Sequence, residues 1–108
     1  MNIIETTKIF DDWLDNLNDL RAKIQIATRI RRAENGNFGD HKLLPDTGGV
    51  YEMRLNISKG YRLYYGRISE ITYLLTNGGD KGSQSADIQR ASELLAQLKQ
   101  QKQEQKND

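Results

Sequence analysis

The sequence predicts an α+β domain: a helical hairpin and a C-terminal helix packed on a small twisted antiparallel sheet, in the order β-α-α-β-β-β-α. Three observations predict it. Residues 48–80 hold three short runs rich in β-branched and aromatic residues, separated by turn signals. Two stretches before them, and one after, carry apolar residues at helical spacing. The length, 108 residues, suits one domain, because two would each bury too little core. That domain spans residues 1–98. Residues 99–108 contain no apolar side chain and form a polar tail expected to fray or stay disordered.

In chain order, residues 2–5 (NIIE) make a short strand suited to a sheet edge. Thr6 or Thr7 caps the helix that follows, its oxygen accepting an N–H of the first turn. Phe10, Trp13, Leu14 and Leu17 then form one stripe, with Trp13 as a core anchor and Asp11, Asp12 and Asp15 away from it. Asn18-Asp19 breaks the pattern and caps a second helix, about residues 20–33. Its apolar arc is Leu20, Ile24, Ile26, Ala27, Ile30 and Ala33. Lys23 falls inside that arc, so it either snorkels outward or faces a partner. Asn35-Gly36 is a left-handed helix stop, residues 41–44 are a brief strand, and residues 45–49 (PDTGG) are a turn cluster.

Residues 50–57 alternate strictly. Tyr51, Met53, Leu55 and Ile57 point one way, and Val50, Glu52, Arg54 and Asn56 the other. Residues 61–68 alternate more weakly, and Gly66 within them signals a bulge or a close approach. Residues 71–76 are apolar at nearly every position, as a central strand covered on both faces requires. Residues 77–82 (NGGDKG) read as a flexible crossing. Ser83 or Ser85 caps a last helix with the stripe Ile88, Ala91, Leu94, Leu95 and Leu98. All three helices are expected on the apolar face of the sheet, which leaves the other face basic.

Composition removes several function classes. There are no cysteines, so disulfides, thiolate metal sites and cysteine nucleophiles are excluded. One histidine, His41, rules out a histidine-rich metal site, and no acidic cluster suggests a carboxylate site for Mg²⁺ or Ca²⁺. No serine sits in a nucleophile elbow, and Gly78 to Lys81 lacks the spacing of a phosphate loop. With no long apolar run, a cytoplasmic soluble protein is the expectation. The net charge is only +1, so placement of cations matters more than their number. Arg54 and Arg62 lie on the polar faces of neighbouring strands, with Tyr64 near them. Guanidinium groups fork onto phosphates, and tyrosine offers a stacking face for a base. Equally compatible with the pattern is a solvated face with ordinary ion pairs, such as Glu52 with Arg62.

Residues 59–65 (KGYRLYY), preceded by residues 51–55 (YEMRL), resemble the central strand pair of the RelE/ParE toxin superfamily. Gly78-Gly79-Asp80-Lys81, followed by Gln84, Asp87-Ile88 and Ala91, is similar to the C-terminal signature of its HigB-like, phage-derived "addiction module killer" branch. Residues 10–14 (FDDWL) and 36–40 (GNFGD) also fit that branch, and the resemblance covers residues 4–98. It implies the toxin of a type II toxin–antitoxin pair, a ribosome-dependent mRNA endoribonuclease that uses no metal or other cofactor. The ribose 2′-OH attacks the adjacent phosphate, which calls for a base, cations around the phosphorane and an acid for the leaving oxygen.

Carried over by position, the family's transition-state arginine is Arg62. Its paired strand lysines fall on Glu52 and Arg54, and the cation after its last strand falls near Lys81. The family's C-terminal tyrosine has no match, since Ser85-Ala86-Asp87 stands there. His41, Tyr64 and Asp80 are the candidates for proton transfer, and Lys42, Lys59 and Arg67 for holding RNA phosphates. The implied partners are a small helix-turn-helix antitoxin, the ribosome and mRNA, with operator DNA reached only through the antitoxin complex and no membrane. Within the superfamily the ParE branch offers a non-enzymatic alternative, inhibition of DNA gyrase; an inactive remnant that still binds its antitoxin is another.

Overall fold

The computed structural model describes residues 1–106, and the side chains of residues 1–101. The elements run β1 (Ile3–Thr6), α1 (Lys8–Asp15), α2 (Leu20–Glu34), β2 (His41–Leu43), β3 (Tyr51–Leu55), β4 (Tyr61–Arg67), β5 (Thr72–Gly79), a 3₁₀ turn (Lys81–Ser83) and α3 (Gln84–Lys106). All five strands form one sheet, ordered β1-β5-β4-β3-β2. From β2 to β5 the neighbours are antiparallel.

Two details of the sheet differ from the expected one. The brief strand at residues 41–43 is a full sheet member, so the sheet has one strand more than the predicted order. In addition, β1 lies parallel to β5, with Ile4 opposite Tyr73. A tight hairpin imposes antiparallel pairing, but no hairpin joins β1 to β5. Thr7 fixes the arrangement instead. Its N–H donates to Leu75 O at 3.1 Å, its hydroxyl donates to Thr76 O at 2.6 Å, and the same oxygen accepts from Phe10 N to cap α1.

The expected flexible crossing is also corrected: Asn77 to Gly79 belong to β5, where Gly78 pairs with Leu63 and Gly79 with Arg62. Glycine is required there by close packing, since a Cβ on Gly78 would strike the Trp13 ring and one on Gly79 the Asp87 carboxylate. The register shifts between Tyr64 and Tyr65, beside Gly66, which itself touches the Leu95 side chain.

The core lies on both faces of the sheet, and this overturns the expectation that every helix shares one face. Phe10 of α1 and Ala22 and Ile26 of α2 pack with Met53, Leu63, Tyr65 and Leu75. Ala91 and Leu95 of α3 pack on the opposite face with Leu44, Val50 and Tyr64. Strand alternation supplies the reason: Val50, Tyr64 and Gly66 make a second apolar patch among the polar positions, wide enough for a helix stripe.

On α2 the buried positions are Ala22, Ile26 and Ala33, whereas Leu20, Ile24 and Ala27 of the predicted arc are exposed. Lys23 donates to Asp15 O at 3.1 Å, which satisfies its charge next to the helix end. Asp80 caps the 3₁₀ turn that leads into α3, accepting from the Gly82 and Ser83 N–H groups in a capping box. Of the polar tail, residues 99–106 continue α3; residues 107–108, which the expectation of fraying or disorder also covered, lie outside the described residues. No helix among the described residues is long and apolar enough to cross a membrane.

Candidate functional site

The turn joining β3 to β4 builds the site. Ser58 (φ +49°) and Gly60 (φ +72°) adopt left-handed backbone, and the Gly60 N–H closes onto Ile57 O at 2.9 Å. This folds Lys59 back toward Arg54 and Arg62, which face each other across the strand pair. The Lys81 N–H donates to Lys59 O at 3.2 Å and brings the 3₁₀ turn alongside. The result is an open cleft of about 370 Å³ lined by Arg54, Lys59, Arg62 and Lys81, with Asn56 and Ser58 among the polar neighbours.

The two guanidinium groups are held differently. Arg54 is half-exposed, with Nη2 3.3 Å from Asp40 Oδ1. The Arg62 side chain is only 13% exposed. Its Nη1 donates to Gly60 O at 2.6 Å, and its Nε lies 3.7 Å from Glu52 Oε2. Glu52 is fully buried and also accepts from Gln84 Nε2 at 3.0 Å. Glu52 and Arg62 do pair, but the pair is buried rather than part of a solvated face, and Arg62 still lines the cleft. The Nε atoms of Arg54 and Arg62, Oε1 of Glu52 and the Tyr64 hydroxyl are all buried without a hydrogen-bond partner. Like charges converging this closely repel, and an anion entering the cleft would offset them.

The other candidates lie elsewhere. Asp80 borders the cleft but already accepts two backbone N–H bonds as a cap. Tyr64 is wholly buried in the core under α3, so it offers no stacking face to a base, which corrects that expectation. Burial pushes its phenol far above the usual tyrosine range, with the Glu52 and Asp87 carboxylates adding to the shift and Arg62 opposing it. His41 stands opposite Met53 in the register, and its ring lies 5.7 Å from Phe38, on the α1–α2 side of the sheet. Its Nδ1–H donates to Gly39 O at 2.8 Å. Lys42, opposite Glu52, is on the cleft's face but outside its lining. Arg67 sits at the far end of β4, roughly 17 Å from Arg62 along the strand, with its guanidinium on Ser69 O and Glu70 O.

Sequence reading passed over Gln84 as a site residue, and Arg29 altogether. Strand alternation placed Glu52 on the polar face, with no signal of its burial. Arg29 lies on the buried side of α2, three residues after Ile26, and donates to Arg54 O, Phe38 O and Asp40 O. Burial lowers its pKa from the ordinary arginine value, against the opposing field of Asp40. It fastens the 35–40 loop beneath Arg54. Among the described residues, no group of three or more His, Asp and Glu side chains converges as metal ligands would.

No family model matches the chain. It is similar to an uncharacterized protein of Haemophilus influenzae (strain ATCC 51907 / DSM 11121 / KW20 / Rd), 46% identical over 94 residues, spanning 87% of this chain and 92% of that one. Among solved structures it is similar to a chain in the crystal structure of the intact E. coli RelBE toxin–antitoxin complex. The TM-score is 0.61 at 18% identity, covering 74% of this chain and 96% of that chain. This likeness is one of fold, and the fold is RelE-like.

Proposed function

We propose that this chain, which belongs to one family with the Haemophilus influenzae protein and has the RelE-like fold, is the toxin of a type II toxin–antitoxin pair and blocks translation by cleaving mRNA on the ribosome. The observation that supports this most is the convergence of Arg54, Lys59, Arg62 and Lys81 in one cleft. Attack of a ribose 2′-OH on the adjacent phosphate builds negative charge on a phosphorane. Cations already in place stabilise that charge without reorganising. Arg62 and Arg54 serve electrostatically, because a guanidinium keeps its proton. Lys59 and Lys81 add two further cations to the same wall. The chemistry so described calls for no cofactor, and residues 1–98 carry all of it. The partners are a small antitoxin that masks the basic face and reaches operator DNA as a complex, and the ribosome with its mRNA, which places the action in the cytoplasm.

Induced expression should stop translation, and primer extension should show cuts inside translated codons. Intact transcripts in arrested cells would overturn the reading. One observation favours a second reading. Among the described residues lining the cleft there is no carboxylate and no imidazole, which suits a binder such as a ParE-like gyrase inhibitor. Inhibited supercoiling by purified gyrase, with RNA left whole, selects that alternative. Expression without any growth defect would leave an inactive antitoxin-binding remnant.

A further inference from the structure

Resting on the cleft reading above, we infer that Glu52 and Gln84 are positioning residues that set where Arg62 presents its guanidinium. Three contacts carry this. Glu52 is fully buried, and it is ion-paired with Arg62, whose Nε lies 3.7 Å from Oε2. A buried carboxylate needs a countercharge, so it pulls the Nε edge of the fork inward. Gly60 O takes Nη1 at 2.6 Å, and the rest of the fork remains on the cleft wall. Gln84 Nε2 donates to the same Oε2 at 3.0 Å. It therefore anchors the carboxylate oxygen that Arg62 faces. Without Gln84 the carboxylate loses its hydrogen-bonded anchor and Arg62 is no longer fixed against it; without the charge of Glu52, the fork is held only at Gly60.

Gln84 is the first residue of α3, and the start of that helix is tied to the sheet beside the cleft. Asn77 Nδ2 donates to Asp87 O at 3.0 Å, and Lys81 N donates to Lys59 O at 3.2 Å. The seat of α3 therefore sets Lys81 and Arg62 together. Glu52 occupies a position where the family resemblance leads one to expect a cation, and the buried ion pair gives that acid a task.

The test uses ¹⁵N-labelled full-length protein and the side-chain Nε–H resonance of Arg62, identified by its disappearance in R62K. In E52Q and in Q84A this resonance should shift, and mRNA cleavage in translating cells should fall about tenfold or more, the scale of one charge-assisted hydrogen bond. A folded variant whose Arg62 resonance does not move overturns the inference. So does a shifted resonance with full cleavage, because the position of Arg62 would then be immaterial. If E52Q fails to fold, Q84A decides, since Gln84 is only half-buried. Absence of cleavage by the wild-type protein, with the resonance responding as expected, counts against the ribonuclease reading and leaves the positioning geometry in place.

Discussion

Arg62 serves two purposes, and its replacement has two consequences. As a cleft cation it would stabilise a phosphorane; as the partner of Glu52 it neutralises a fully buried carboxylate. R62A should therefore lose toxicity and also lose stability, by about 3 kcal/mol, because an uncompensated buried charge remains. The double variant E52Q/R62A should recover most of that stability without recovering toxicity. Urea titrations of both proteins check this, and equal stability of R62A and wild type would show that the ion pair carries no such weight. His41 provides the opposite case. It lies on the other side of the sheet from Arg54 and Arg62, so H41A should cleave mRNA within about twofold of wild type, the ordinary effect of a surface substitution away from the site. A large loss measured by primer extension would mean that the 35–41 segment reaches the substrate.

At the scale of single elements, the caps and close approaches respond most clearly. Asp19 begins α2, and the Ala22 N–H followed by the Ser58 hydroxyl holds its carboxyl below the usual range. A lowered folded-state pKa means that its contribution is fully present above the unfolded value, about pH 4, and is lost as pH falls through the lower folded value. D19A should therefore melt below wild type near neutral pH, with the gap closing as acid is added. A gap that stays constant down the acid limb would refute the assignment. Gly66 tests the seat of α3. A Cβ there runs into Leu95, so G66A should cost about 1–3 kcal/mol in chemical denaturation, the range for overpacking a filled core. It should also weaken cleavage, because the helix that shifts carries Gln84.

For the molecule as a whole, the consequence of interest is a sheet covered on both faces with a gap left at one end. α1 and α2 occupy one side and α3 the other, yet at the β3–β4 turn the side bearing Arg54 and Arg62 stays open. That opening is where a phosphodiester would enter, so cleavage should depend steeply on ionic strength. Raising salt should weaken RNA binding by the purified protein, with a slope that falls when Lys59 or Lys81 is replaced by Ala. A salt-independent interaction would point to a protein target and to the gyrase alternative.

Much of this was legible in sequence. Strict alternation at residues 50–57 placed Glu52 and Arg54 away from Met53 and Leu55, and β3 has that arrangement. Thr6 or Thr7, and Asn18-Asp19, announced the first two helices because capping is a local bond, and the structure selects Thr7 and Asp19. The interior place of β5, flanked by β1 and β4, agrees with its nearly continuous apolar run. What sequence could not supply were relations between distant segments. The parallel pairing of β1, the placement of α3 on the second face, and the inclusion of Gly78 and Gly79 in a strand all depend on contacts far apart in the chain. Trp13 fills the space over Gly78, and Leu95 the space over Gly66. Periodicity tells which residues share a face of one element; it does not tell which element covers that face. The cleft lay in between. Its cations could be named from strand alternation and resemblance, but their union with Lys81, and the burial of Glu52 beneath Gln84, were decided only when the last helix was seated.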